Sequence, residues 1–447
     1  MSSTGYLSAE ELLTRVAPLV DGRTGLIGPT SEVYLEPGNP EIIVYSSMLS
    51  DLTQALPHIT LKNEDGLPMA GSGSSTTRDY AQAKALCEGL ERYCNISFDP
   101  ASVITASRDE LGDEAIDLDL FACGHDEEYA APFTTQTRAR ADQPMRWVKG
   151  YSLTQGRPLY LPFSTVYISS PYEWAAEAFS IPISTGSALA ANYERAVVSA
   201  ALEVMERDAL SLTWLQKLPL RRIDVSRSRN RELLDRMALI EKTGIQQYFF
   251  DATTDLGFPT AYLLQWAPDR DLAMLVMAAS RYDIESAMIR VMDEASSSRS
   301  ALTRLARQPP LYDPNDFRSF TRLTDGAVYY ADPARKHAFD FLMEGTGRVH
   351  VDEIPSLPAT DARVMLDELV RRFRERGLEL SVVDITAPPI ADCGLRAVRV
   401  IAPQLLPLSV NYNLKYGGTP RLYDAPRRMG HPSHAFDQLN PWPQPFA

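Results

Sequence analysis

Two short stretches of this chain hold residues whose types and spacing could do chemistry. CEGLERYC (87–94) sets Glu88 and Glu91 one helical turn apart with Arg92 beside them. LEVMERDA (202–209) repeats the arrangement with Glu203, Glu206 and Arg207. Carboxylates at i and i+3 share a helix face, where like charges repel unless a cation lies between them. Both pairs sit in apolar runs, with Ala85, Leu86 and Leu90 around the first and Val198, Ala201 and Leu202 around the second. Carboxylates that lose water there need compensation. A salt bridge to the neighbouring arginine is the plain solution. The other is a hard divalent cation such as Mg2+, which takes oxygen ligands and commonly brings substrate phosphates with it. A third set, Glu294 with Ser297, Ser298 and Arg299, could converge on the same ion.

Other chemistries lack their residues. A helix-borne di-iron site wants Glu-x-x-His, and no histidine lies near either pair. The run GSGSS (71–75) has no G-K-[ST] ending, so it is not a Walker A loop. The six histidines form no ligand spacing, and no G-x-S-x-G elbow occurs. Cys87, Cys94, Cys123 and Cys393 have neither C-x-x-C nor zinc spacing. On one helix Cys87 and Cys94 would stand about 10.5 Å apart, too far for a disulfide.

The bulk composition narrows the class further. At 447 residues, 45% hydrophobic and 23% charged, the chain can bury a large core. A net charge of −14 argues against non-specific nucleic-acid binding. No apolar run reaches the roughly 20 residues that span a bilayer. MSSTGYLSAEELLTRV lacks signal-peptide order and reads as an amphipathic helix capped by Ser8, with Glu11 three residues on. A reduced, cytoplasmic protein is expected.

The elements that must position the carboxylates follow from periodicity. Helices are predicted near 80–95, through 202–209, over 283–307 and over 364–377. Strands are predicted at SEVYLE, EIIVYSSML, RWVKGYSL, PLYLPFSTVYI, QQYFFDAT, PTAYLLQWA, LELSVVDIT and RAVRVI. Small-residue loops, GLPMAGSGSSTTRD and IPISTGSALAAN, lead into the two E-x-x-E-R helices, so the recurring unit is loop, helix, paired carboxylates. The closing stretch reads as irregular and Pro-rich. Strands alternating with helices make the fold class α/β or α+β.

Taken in order, three blocks resemble the YcaO family: GSGSSTTRDYAQAKALCEGLERYC, STGSALAANYERAVVSAALEVMERDALSLTWLQKLP and DEASSSR. The ending PWPQP is similar to the P-x-P-x-P tails of its azoline-forming branch. The resemblance implies a YcaO-type fold, with loop–helix modules pseudo-repeated around mixed sheets and a Pro-rich tail. It further implies an N-terminal docking segment at 1–65, a catalytic domain at 66–425 and a tail at 426–447 that reaches the active site. The cofactors implied are ATP and Mg2+. Glu88, Glu91, Glu203, Glu206 and Glu294 match the metal-binding carboxylates. Ser72, Ser74, Asn192, Glu194, Arg207 and Arg299 join them at the nucleotide. Pro441, Pro443, Pro445 and Arg299 match the catalytic positions.

Three departures from the family pattern stand out. Ser72 replaces the usual lysine of the Gly-rich loop, and Ser297 replaces a glutamine. The family's Asn and Glu fall on Ala191 and Arg195 without a gap, or on Asn192 and Glu194 if the loop shifts by one residue.

The resemblance implies cyclodehydration of Cys, Ser or Thr in a ribosomally made peptide to thiazoline or oxazoline. The side chain attacks the preceding amide, whose oxygen is then phosphorylated and leaves as phosphate. An amidine- or thioamide-forming enzyme of the same fold is the alternative, as is a non-catalytic docking subunit. The implied partners are the precursor peptide, a ThiF-like or leader-peptide-binding protein, a flavin-dependent azoline oxidase and a second copy of the chain, for which the 361–377 helix offers a surface.

Overall fold

The computed structural model describes residues 7–52, 56, 69–168, 170–345, 347–357 and 361–446. Helix α1 (Ala9–Val16) opens with the expected capping box between Ser8 and Glu11. Strands β1 (Ser31–Glu32), β2 (Ile43–Met48) and β3 (Ala70–Ser75) then lead into helix α2 (Arg78–Ile96). Next come β4 (Val103–Ser107), β5 (Pro144–Ser152), β6 (Arg157–Pro162), β7 (Ser187–Ala190) and helix α3 (Tyr193–Leu215). They are followed by β8 (Arg222–Asp224), helix α4 (Arg231–Glu241), β9 (Gln246–Asp251), β10 (Thr260–Trp266), β11 (Met274–Ser280) and helix α5 (Ile284–Ala306). The chain closes with β12 (Arg348–His350), helix α6 (Ala362–Glu375), β13 (Ser381–Asp384), β14 (Arg396–Ile401) and helix α7 (Pro420–Arg428). The class is mixed α+β, as expected.

Among the described residues, three sheets carry the helices. Their strand orders are β1-β2-β3, β11-β10-β9-β8-β12 and β4-β5-β13-β14-β7, with β6 pairing on β5. Strands β10 and β11 are buried on both faces, and β11 is apolar from Met274 to Ala279 while β10 buries Gln265 among its apolar residues. The largest core joins that sheet to α3, α5 and the residues before the C-terminus, with Trp214, Tyr262, Tyr330 and Phe339 fully buried. A second core lies under β5 and β14, and a third lies between α3, α6 and β14.

Three sequence expectations need correction, the first being PLYLPFSTVYI, where the strand stops at Pro162 and Phe163–Val166 is helical. The small-residue stretches before α2 and α3 are not simply loops, because Ala70–Ser75 pairs antiparallel with β2 and Ser187–Ala190 with β14. Glycine and serine form a strand here because a helix lies directly on it. A Cβ at Gly73 would sit 2.1 Å from the Ala81 carbonyl and 2.5 Å from the Ala85 amide. The closing stretch also contains α7, which opens with Pro420 as its first helical residue. Because β2 pairs with β3, residues before 65 share a sheet with residues after it. The expected 65/66 boundary itself lies outside the described residues.

No described helix is long and apolar enough to cross a membrane.

Candidate functional site

The sequence repeat is a structural repeat. In the first module the Ser72 amide on β3 donates to Glu88 Oε2 at 2.8 Å, and Arg92 Nη2 pairs with Glu88 Oε1 at 2.9 Å. In the second, the Gly186 amide before β7 donates to Glu203 Oε2 at 3.0 Å, and Arg207 Nη2 pairs with Glu203 Oε1 at 3.3 Å. The first Glu of each pair is thus tied to its own strand and to the Arg one turn on, which is the salt-bridge arrangement anticipated above. Gly186 takes φ +89°, and a Cβ there would stand 2.5 Å from the Val400 carbonyl, so glycine is required.

The second Glu of each pair is different. Glu206 is 4% exposed. Burial pushes its carboxyl up to about 8 against the pull of Arg207, with Glu294 and Glu203 raising it further. Burial also raises Glu91 well above the ordinary range, and the Glu203 charge adds to this while Arg92 opposes it. The modules therefore face each other closely enough for their charges to interact.

The third helix completes the set. Arg290 Nε meets Glu294 Oε1 at 2.5 Å. Burial raises the Glu294 carboxyl, but Arg290, Arg281, Arg207 and Lys84 together hold it below its ordinary value. One residue before it, Asp293 is buried, accepts from Lys84 Nζ at 2.9 Å and forms an ion pair with Arg236 Nε at 3.1 Å. Ser74 Oγ donates to the Asp293 carbonyl at 2.6 Å, and Lys84 also bonds the Ser74 carbonyl. These contacts tie α5 to β3 and α2.

Cations surround these carboxylates. Burial lowers the Arg281 guanidinium, with Arg290 adding to the effect. Like charges held together in a buried place are a setting for an anion. Arg399 on β14 is 5% exposed and donates to the Thr165 carbonyl, Ser187 Oγ and the Ile183 carbonyl at 3.0, 2.9 and 2.6 Å. Burial brings it down to about 10, while Glu203 and Glu91 pull it back up.

The final residues come to the same place. Tyr412 donates to the Pro441 carbonyl at 2.9 Å, Trp214 to Trp442 at 3.1 Å and Tyr330 to Pro443 at 2.7 Å. Proline-interrupted backbone makes no ladder, so side-chain donors satisfy these carbonyls instead. The run delivers Phe446, 3% exposed, beneath the Arg207 guanidinium, 4.3 Å from the ring centre.

Some expected positions lie elsewhere. Asn192 caps α3 by accepting from the Arg195 amide. Glu194 pairs with Arg363 of α6 at 3.6 Å. Arg299 is buried against the β10/β11 sheet, donating to Gln265 Oε1 at 3.0 Å and to the Leu272 carbonyl at 2.9 Å. Ser297 bonds back to the Glu294 carbonyl. Sequence reasoning missed Lys84, Arg281, Arg290, Asp293 and Arg399. Arg290 and Lys84 each stand four residues before a site Glu, a spacing that could have found them. Arg281, just past β11, and Arg399, within β14, carry no local signal.

These side chains fit a Mg2+–nucleotide. Three helices offer oxygen ligands, and Lys84, Arg92, Arg207, Arg281 and Arg290 supply positive charge for phosphates. Buried Arg92 Nε and Arg207 Nε have no hydrogen-bond partner among the described residues. Nor, among those residues, are three His, Cys, Asp or Glu side chains gathered tightly enough to hold a metal unaided. Arginines occupy Glu88, Glu203 and Glu294 instead.

Comparison with known proteins agrees with this chemistry. An uncharacterized protein of Methanothermobacter thermautotrophicus is 27% identical over 355 residues, covering 78% of this chain and 84% of its own. A heterocyclase solved in complex with substrate and cofactor superposes with a TM-score of 0.80 at 23% identity, over 98% of this chain. This chain spans 58% of that heterocyclase. YcaO from Methanopyrus kandleri, bound with AMPPCP and Mg2+, superposes at 0.63 and 19% identity over 91% of this chain and 94% of its own. The model of the YcaO cyclodehydratase family, ATP- and Mg2+-binding, matches residues 72–406. That is most of the chain, and the protein belongs to the YcaO family.

Proposed function

We propose that this protein is an azoline-forming cyclodehydratase. It closes Cys, Ser or Thr of a ribosomally made peptide onto the preceding amide in the cytoplasm. The observation carrying this reading is the pair of matched modules, each with a backbone amide on or just before its strand bonded to its first Glu, and with Glu91 and Glu206 desolvated. Glu88, Glu91, Glu203, Glu206 and Glu294 would hold Mg2+, and the surrounding cations would hold the phosphates. ATP, the co-substrate, supplies the phosphoryl group that turns the amide oxygen into a leaving group.

The chain's own residues bind and orient. Arg92 and Arg207 fix Glu88 and Glu203 at the cleft, while Phe446 seals one side of Arg207 from water. In the net reaction the thiol or hydroxyl adds to the carbonyl carbon. The nitrogen loses its proton, and the oxygen leaves as phosphate, so the peptide loses one water per ring. The chain would act on a precursor peptide held by a ThiF-like or leader-binding partner. A flavin-dependent oxidase would act afterwards, and a second copy of the chain would pair with this one.

Mass spectrometry of a Cys-containing precursor with ATP, Mg2+ and the partner tests this. Loss of one water per ring, abolished by Glu206→Ala and by Glu91→Ala, is expected. A sulfur-for-oxygen gain would instead assign the thioamide reaction. Full activity in both variants would remove these carboxylates from the site.

A further inference from the structure

A cavity of about 130 Å3 opens beside the carboxylates, and Arg207 and Arg399 line it. Apart from these two arginines its wall carries no charged group. Phe179, Ile183, Ile401, Leu405 and Leu408 are among the apolar side chains that line it. An apolar lining with few polar groups is typical of binding pockets.

The cavity is built rather than incidental. Arg399 anchors its rim by donating to the Ile183 carbonyl at 2.6 Å and to the Thr165 carbonyl at 3.0 Å. Tyr172 pins the other end of the same rim through the Ser180 carbonyl at 2.7 Å.

We infer that this cavity receives the side chain of the peptide residue immediately before the one that cyclises, and selects a large aliphatic or aromatic group there. The inference rests on the proposed function and adds the substrate preference. The carbonyl under attack belongs to that preceding residue, so its Cα is bonded to the reacting carbon. Its side chain therefore branches one bond from the reacting carbon, which the proposed reaction holds at the carboxylate and arginine cluster. The cavity wall shares Arg207 with that cluster and is apolar beyond it. An acidic side chain would meet Arg207 and Arg399 but leave the apolar wall wet. Glycine would leave the cavity unfilled.

Fluorescein-labelled Gly-Gly-Leu-Cys-Gly and its Gly and Asp analogues at the third position, titrated into the full chain, test this. The Leu peptide should bind at least about tenfold more tightly than either analogue, the gain expected for burying one such side chain. Ile183→Trp and Ile181→Trp, both at the half-buried rim, should each abolish that preference. Ile183→Ala should keep it and admit Trp in place of Leu. Equal affinities, no binding, or a preference that survives both Trp variants would overturn the inference. Mg2+–ATP titration of the same samples separates the two readings. Nucleotide binding without a Leu preference sinks the pocket alone. A Leu preference without nucleotide binding sinks the proposed reaction and leaves the pocket.

Discussion

The Arg207 guanidinium lies 4.3 Å from the centre of the Phe446 ring, while the same side chain pairs with Glu203 at 3.3 Å and Glu206 at 3.4 Å. An aromatic residue from the closing run therefore holds the arginine that holds two site carboxylates. Phe446→Ala should cost about 3–5 kcal/mol of stability from the lost core aromatic. It should also lower ATP turnover, because Arg207 loses a contact worth about 0.5–2 kcal/mol. Phe446→Trp should keep turnover. Urea melts and phosphate release on the same samples decide it, and unchanged turnover in Phe446→Ala would detach the ring from the site.

Glu206 gives the protein a pH signature. Its carboxyl titrates at about 8 in the fold against 4.5 for an ordinary glutamate. Below pH 4.5 both states hold the proton. Between 4.5 and 8 the unfolded chain releases it and the folded chain keeps it, so stability falls as pH rises. The slope reaches about 1.4 kcal/mol per pH unit for one such group. In the absence of nucleotide and metal, Tm should drop from pH 6 to pH 8, and Glu206→Gln should flatten the drop. Mg2+–ATP must displace this proton, so its affinity should rise over the same range. A Tm profile identical in wild type and variant would refute the assignment.

Strand β3 depends on the closeness of α2. Gly73→Ala places a methyl 2.1 Å from the Ala81 carbonyl, so strand and helix must separate. A loss of at least about 1–3 kcal/mol is expected. The nucleotide site should weaken with it, since the Ser72 amide bond to Glu88 spans the same junction. Calorimetry together with an ATP titration would register both effects.

Arg299 tests the limit of reading residues by resemblance. Its bonds to Gln265 and Leu272 make it a strut between α5 and the β10/β11 sheet. Arg299→Met should destabilise by roughly 1–3 kcal/mol through the unpaired partners. Well below its lowered Tm, Mg2+–ATP affinity should be kept. A loss of nucleotide affinity with stability unchanged would return Arg299 to the site.

Much of this was legible in the residues, for physical reasons. Glu88/Glu91 and Glu203/Glu206 announce themselves because a helix converts i,i+3 spacing directly into a shared face. Helix α5 and strands β9 and β10 follow from period and apolar content. Strand β3 was hidden because strand patterns are read from bulky residues, whereas here the strand must be small to admit α2. The site's arginines divide in the same way. Arg290 lies four residues before Glu294 on its own helix, while Arg281 and Arg399 arrive from two different sheets, a pairing that only tertiary structure makes. The Phe446 contact likewise spans more than two hundred residues of chain.

The central claim, that this chain activates a peptide amide oxygen by phosphorylation at the paired carboxylates, is tested most directly by the fate of that oxygen. A precursor peptide with 18O in the carbonyl preceding its cyclising Cys should be incubated with the full chain, its partner, Mg2+ and ATP. Ring formation should transfer the label into inorganic phosphate, one 18O per ring, and Glu206→Ala should abolish both ring and transfer. Rings formed with unlabelled phosphate, the label passing to water, would contradict the account.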